Sequence, residues 1–330
     1  MTKRRAATPT GAVRRRARTP FTLALLALGA LGCPHKDGDS IAVTGDGARL
    51  SSEVIDSDPL ALLPPNPVVL GWTDVKAFFA SPFGGEANRL AAKYVPIGQE
   101  AGFVPQRDLR VLVGGVYSLA GADAVSVAQG DFNPDLIRAS ADRHAMTPLG
   151  VPLVHSKYAN NDVYTAGNVG FTVVTAHTML IGNETGMRRA LDRIRDARVR
   201  REVPEWVTKL MSNPQASMVF AGDLTNQPHV AAMAKTAPFL NGLMNFRILG
   251  NFQSPGVNLA GTLSYPDAAS AAAGANALRG MGQMAGAMNV LAMFGLGSPV
   301  KDLQVQSQDS DATFVMAVDG QALVRLLGLL

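Results

Sequence analysis

The segments "NPVVLGWTDV", residues 66–75, and "NPQASMVFAGDL", residues 213–224, carry one pattern twice. In each, Asn-Pro leads into a short apolar run that ends at an aspartate, Asp74 or Asp223. A short apolar run bounded by turn-forming residues predicts a buried β-strand. A carboxylate directly after such a strand predicts a helix N-cap, because it accepts hydrogen bonds from the free amides of the first helical turn. The recurrence indicates a chain built from two related units.

The flanking sequence extends both patterns in the same order. The paired strands "LRVLVGGVYS" and "ADAVSVAQG" follow the first segment, and "FRILGNFQS" and "VNLAGTLSY" follow the second. Each half then predicts a helix, a hairpin and a last helix, and the first half adds the hairpin "VPLVHSKY" with "DVYTAGN". We therefore expect an α+β fold of two tandem strand–helix–strand–strand–helix units, each completed by a hairpin and a helix, over residues 59–200 and 201–330. The sheet is expected to be mostly antiparallel, with helices on one face.

The N-terminal segment has the layout of a bacterial export signal. Residues 1–20 are basic without an acid, and the apolar run "FTLALLALGALG" at 21–32 is shorter than the roughly 20 residues that span a bilayer. The small residues before Cys33 resemble the lipobox of bacterial lipoproteins. That resemblance implies a signal peptide at 1–32, acylation of Cys33, for example by palmitate, and anchoring to a bacterial envelope membrane, at the outer membrane or facing the periplasm. A plain secretory signal, or a membrane anchor with an incidental cysteine, is the alternative.

The segment after Cys33 is rich in Asp, Gly and Ser up to residue 58 and lacks apolar periodicity. It is expected to be a lipidated flexible tether over residues 33–58. The whole chain has 30 basic and 26 acidic residues, but seven of the basic ones lie in the signal, which leaves a net charge of −3. This balance argues against nucleic acid as a partner. With Cys33 acylated, no thiol is left for disulfides, metal ligation or catalysis.

Two further stretches, "ALLPPNPVVLGWTDV" and "GADAVSVAQGDFNPDLI", resemble an uncharacterised family of exported bacterial proteins built from such units. The resemblance covers roughly residues 58–330. It implies the repeated α+β unit, and it implies no activity and no site residues.

The sequence contains no recognisable catalytic or metal-binding motif. The five histidines do not fall at metal-ligand spacings. Ser118 lies between glycines, but the Gly-x-Ser-x-Gly spacing of a nucleophile elbow is not met. We therefore expect no enzyme, no cofactor and no metal site.

An arginine-rich helix is one candidate for a partner surface. The segment "GMRRALDRIRDARVRR" contains Arg188, Arg189 and Arg195 among seven arginines. One interpretation is a solvated face on which Asp192 and Asp196 form ion pairs. The other is contact with anionic lipid headgroups or an acidic partner.

A second candidate surface lies in the apolar segment 268–297. Its methionines step along one helix face, and two of its glycines are spaced to allow another backbone to approach closely. These residues are Met281, Met284, Met288, Gly282 and Gly286. A core helix is one interpretation, and a membrane-facing segment or a wall for an apolar ligand is the other.

These observations favour a non-enzymatic, lipid-anchored envelope protein that binds or scaffolds an envelope component. The first alternative is a carrier of a lipid or other apolar ligand, and the second is a hydrolase with an unrecognised site.

Overall fold

One antiparallel sheet organises the chain. The computed structural model describes residues 50–85, 101–119, 123–144, 146–147, 150–254, 256–287 and 300–322, with the backbone alone for 285–287. Within these residues the strands are β1 Val69–Asp74, β2 Leu109–Ser118, β3 Asp123–Gly130, β4 Leu153–Tyr158, β5 Asn161–Ala166, β6 Val169–Val173, β7 Thr178–Gly182, β8 Met218–Asp223, β9 Asn245–Asn251, β10 Gly256–Ser264, β11 Val300–Gln308 and β12 Asp311–Asp319.

Nine α-helices lie wholly within the described residues. They are α1 Ser52–Ser57, α2 Pro59–Leu62, α3 Val75–Ala80, α4 Pro105–Asp108, α5 Pro134–Arg143, α6 Glu184–Arg195, α7 Glu205–Met211, α8 Pro228–Met233 and α9 Ala268–Ala287. A 3-10 turn at Pro238–Leu240 precedes β9. The α+β class and the antiparallel sheet expected from the sequence are confirmed.

The strand order places β1 and β8 next to each other in the middle of the sheet. From edge to edge the order is β11-β12-β10-β9-β8-β1-β2-β3-β7-β6-β5-β4, and every neighbouring pair is antiparallel. The β1–β8 ladder runs from Val69 opposite Gly222 to Thr73 opposite Met218. The sheet therefore continues without a break across the boundary expected at residue 200.

Helices cover both faces of the sheet, so the expectation of one helical face is wrong. Adjacent residues of a strand point to opposite faces. In β3, Val127 packs in a core with Met187 of α6, whereas Ala128 packs in a different core with Ile137 of α5. Both strand residues are fully buried, because each face of β3 is covered by a helix.

Side-chain caps start several of the helices. Asp74 accepts a hydrogen bond from the amide of Ala77 at 3.0 Å, so it caps α3 as expected. Asp223 instead accepts from the amide of Thr225 at 2.9 Å and closes a turn, because α8 begins only at Pro228. The N-cap expected at Asp223 is therefore wrong.

The end of the expected tether is folded. Residues 50–58 were expected to be flexible, yet they include α1, whose Ile55 is 6% exposed in the main core. The Asp56 carboxylate accepts hydrogen bonds from the hydroxyls of Thr175 and Thr178 at 2.5 and 2.6 Å. These contacts with residues more than 100 positions away fix α1 against the β6–β7 turn. We call residues 50–63 the N-terminal strap.

Candidate functional site

Some of the residues singled out in the sequence lie outside the described residues. Cys33 and Met288 are among them, and Gly286 is described by its backbone alone. The described ones fall on two separate helices, α6 and α9.

The arginines on and after α6 are bound within the protein. Arg188 pairs with Glu184, Arg189 with Asp123 at 2.9 Å, and Arg195 with Asp192 at 2.8 Å. The later arginines follow the same rule: Arg198 pairs with Asp196, Arg200 with Glu202 and Arg201 with Asp58. Six acids thus face seven arginines, which leaves little net charge for an anionic partner. The geometry favours the solvated, internally paired face.

Arg193 differs from the other arginines because it is buried, with 3% of its side chain exposed. Its Nε and Nη2 donate to the carbonyl oxygen of Ala61 at 3.3 and 3.2 Å, and its Nη2 also donates to the carbonyl oxygen of Arg200 at 2.7 Å. Its Nη1 donates to Glu202 at 3.3 Å. Arg193 therefore joins α6, the N-terminal strap and the connection that leads to α7.

Helix α9 packs through its small residues rather than its methionines. Ala271, Gly274 and Ala275 are buried on the face of α9 that packs on the sheet. A Cβ built on Gly282 would lie 2.3 Å from Cδ2 of Leu303 in β11, so a larger residue here would force the Leu303 side chain to move. Met284 is 70% exposed. The described part of α9 is a core helix along its small-residue stripe, and Met284 faces solvent.

A cavity that the sequence did not indicate lies where β1 meets β8. It has a volume of about 270 Å³. Its floor is apolar and buried, formed by Val68 and Leu70 of the first half and by Val207 and Ala221 of the second. The pairing of β1 with β8 places Leu70 opposite Ala221, which lies about 150 positions away in the sequence.

The rim of this central cavity is polar. It carries the side chains of Asn66, Trp206, Asp223, Thr225 and Gln227. Among the described residues, the only side-chain hydrogen bond in this set is the one that Asp223 accepts from the amide of Thr225. The other four side chains have their hydrogen-bonding groups available to a ligand.

Charges around the central cavity are nearly balanced. Glu202 lies on the rim, and its two oxygens accept from Arg200 at 2.8 Å and from Arg193 at 3.3 Å. These hydrogen bonds, first that of Arg200, lower the pKa of Glu202, so the carboxylate stays ionised and compensated. The guanidinium carbon of Arg247 lies 4.8 Å from the centroid of the Trp206 ring, which brings a positive charge to the Trp206 side of the cavity.

An open groove adjoins the central cavity. Its volume is about 520 Å³, and Thr225 and Gln227 line both spaces. Leu224, Val230 and Leu243 give the groove an apolar wall.

A second cluster of ionisable side chains lies between β4, β5 and α5. His155 places Nδ1 3.1 Å from Asp142 and Nε2 2.9 Å from Asp162. The hydroxyl of Tyr164 donates to Asp142 at 3.0 Å, and burial of the ring raises the pKa of Tyr164. Because its two imidazole nitrogens contact Asp142 of α5 and Asp162 of β5, His155 joins the β4–β5 hairpin to α5.

The described residues contain no group of three or more His, Cys, Asp or Glu side chains arranged to hold a metal ion. Among the helices that the structure describes, none is both long and apolar enough to cross a membrane.

Comparison with known proteins gives structural neighbours alone. No family model matches the chain, and no curated protein matches it. Crystal form III of TP0453 superposes with a TM-score of 0.51 at 11% identity, over 83% of this chain and 98% of that chain. Crystal form I of TP0453 gives a TM-score of 0.50 at 11% identity, over 82% and 96% of the two chains. At this identity the likeness shows a shared fold.

Proposed function

We propose that the chain is a non-enzymatic binding protein of the bacterial envelope, anchored through acylated Cys33, whose folded part takes up a small molecule in the central cavity. The observation that carries this proposal is the combination of a buried apolar floor with four rim side chains that have no side-chain hydrogen bond within the described residues. Concave sites with apolar walls and a few convergent polar groups are the usual form of small-molecule sites.

The binding role is tested by native mass spectrometry of the full chain extracted from the envelope. The wild-type protein should retain a small-molecule mass. Ala221→Leu adds a side chain on the cavity floor and should release it, whereas Ala232→Leu, on the exposed face of α8, should not. A wild-type protein with no adduct under gentle ionisation contradicts the proposal.

The anchoring part rests on the basic segment, the apolar run and the small residues before Cys33. Several acyl chains hold a protein durably at a membrane, at about 0.8 kcal/mol per buried methylene. Wild-type protein should enter the detergent-rich phase of a cloud-point separation and carry an acyl mass at Cys33. The variant Cys33→Ser should not, and Ser40→Ala is the matched control. Aqueous partition of the wild type without an acyl mass would refute the anchor.

The alternative of a carrier for an apolar ligand draws support from the open groove. Its volume of about 520 Å³ and its wall of Leu224, Val230 and Leu243 suit a larger and more apolar molecule than the central cavity does. The same native spectra separate the two roles. A carrier should show a bound lipid mass in the wild type, and the Ala221→Leu variant should still show it.

We also propose that the two halves are copies of one unit. Strands β2, β3, β7 and β6 lie outward from β1 in the order in which β9, β10, β12 and β11 lie outward from β8. In the β1–β8 ladder, Gly71 lies opposite Phe220, and the flanking pairs are placed symmetrically about this pair. The β4–β5 hairpin would then be the insertion of the first half. An experimental structure in which β2 and β9 fail to coincide when β1 is superposed on β8 would contradict the duplication.

A further inference from the structure

The size of the central cavity restricts its occupant. Sites for drug-sized ligands have volumes of roughly 300–1,000 Å³. At about 270 Å³, this cavity has room for a single ring or a side chain of similar bulk, and a long acyl chain would need the adjoining groove as well.

The chemistry of the cavity walls calls for a ligand with two kinds of surface. The floor at Leu70, Val207 and Ala221 is apolar, and the indole of Trp206, whose ring also lies against the guanidinium of Arg247, adds an aromatic wall. The rim offers the amide of Asn66 and the hydroxyl of Thr225, each of which can both donate and accept a hydrogen bond. A molecule with an apolar face and a ring of hydroxyl groups satisfies both.

The charges of the central cavity disfavour an ionic ligand. A cation would meet Asp223, but the guanidinium of Arg247 lies over the Trp206 ring that lines the same cavity, and Glu202 is already compensated by two guanidinium groups. An anion would meet the carboxylate of Asp223 directly at the rim. A neutral ligand is desolvated at lower cost than a cation or an anion, because its burial takes no charge out of water.

From this geometry we infer that the central cavity binds one neutral sugar ring, either a free pyranose or the terminal residue of a glycan. A pyranose has a C–H face that packs on an indole and hydroxyls around its edge for the rim side chains. The inference rests on the proposed binding function and names the class of ligand for the same site.

The chain offers a direct reporter of occupancy. It has two tryptophans, so Trp72→Phe leaves Trp206 as the single indole. The full chain carrying this substitution, in a detergent without a sugar headgroup, is titrated with glucose, galactose and N-acetylglucosamine, and separately with choline as a cationic probe. Each ligand is added up to about 50 mM, so that dissociation constants in the millimolar range are detected. We expect a saturable change in Trp206 fluorescence with at least one of these sugars.

Variants of the rim test the assigned contacts. Asn66→Ala and Thr225→Ala should each weaken sugar binding about 3- to 10-fold, the usual effect of losing one or two hydrogen bonds. Asp223→Asn keeps an acceptor oxygen and should weaken binding less than Asp223→Ala. The control Gln306→Ala removes an exposed amide on β11, outside the cavity, and should change nothing.

The outcomes separate the sugar from the general binding role. Saturation by a pyranose, weakened by Asn66→Ala and Thr225→Ala, supports the inference. Saturation by choline alone, abolished by Asp223→Asn, overturns the sugar assignment and leaves the binding function standing. If Trp206 fluorescence changes with none of the probes, the sugar assignment is also overturned. The native mass spectra of the extracted protein then test the binding function independently.

Discussion

Replacing Arg193 with Met should cost about 3 kcal/mol of the free energy of unfolding. The guanidinium is 3% exposed and provides two donors to the carbonyl oxygen of Ala61 and one to that of Arg200. Methionine fills part of the volume but leaves the buried carbonyl of Ala61 without a donor. An orphaned buried acceptor costs about 1–3 kcal/mol, and removal of one partner of a buried ion pair costs about 3–5 kcal/mol. In the variant, Glu202 still pairs with Arg200, and 26% of its side chain is exposed to solvent. We therefore expect a loss of unfolding free energy at the lower end of the ion-pair range.

The assays are urea unfolding and thermal melting of the full chain, both followed by circular dichroism. At about 2–4 °C per kcal/mol for a protein of this size, the melting temperature should fall by about 6–12 °C. The matched control is Arg198→Met, which removes an exposed pair with Asp196 and should cost at most about 1 kcal/mol. If Arg193→Met and Arg198→Met unfold at the same urea concentration, the assignment of Arg193 as the joint between the strap and α6 is wrong.

Three further substitutions test separate contacts. Gly282→Leu should lower the unfolding free energy by about 1–3 kcal/mol through overpacking against Leu303, whereas Met284→Ala, at an exposed site, should stay within about 0.5 kcal/mol in the same urea assay. Burial raises the pKa of Tyr265 to about 12, so the contribution of Tyr265 to protein stability is complete below pH 10 and is lost between pH 10 and 12. In Tyr265→Phe the melting temperature should therefore fall less steeply over this pH range, and an unchanged fall would contradict the prediction. Asp56→Ala should speed amide hydrogen exchange in α1, since it orphans two threonine hydroxyls, and unaltered protection there would reject the strap.

Local patterns predicted the strands because their residues alternate or cluster in short apolar runs. The two-sided burial of β3 was also visible, since Val125, Val127 and Ala128 are apolar with only Ser126 between them. A one-face interpretation overlooked that a strand with few polar residues needs cover on both sides.

Long-range partners explain what the sequence did not predict. Residues 50–58 have the composition of a tether, and Asp56 becomes structural only when the fold brings Thr175 and Thr178 beside it. The arginines of α6 suggested a charged surface because Asp123 and Glu202, which compensate them, lie outside the helix. The central cavity could not be read from either half, since each half contributes part of its floor.

The central ladder has a consequence for the speed of folding. Strands β1 and β8 are about 150 positions apart, and closing so long a loop costs about 3 kcal/mol more in chain entropy than closing a tight hairpin, at about 0.6 kcal/mol per doubling of length. Hairpins such as β2–β3 can form early, but the middle of the sheet must wait until both halves are present, which favours slow, late closure. In a chain cut between residues 198 and 203, this loop closure becomes an association of two fragments, and its rate depends on concentration. Each fragment would expose β1 or β8 as an unpaired edge strand that can pair with another chain.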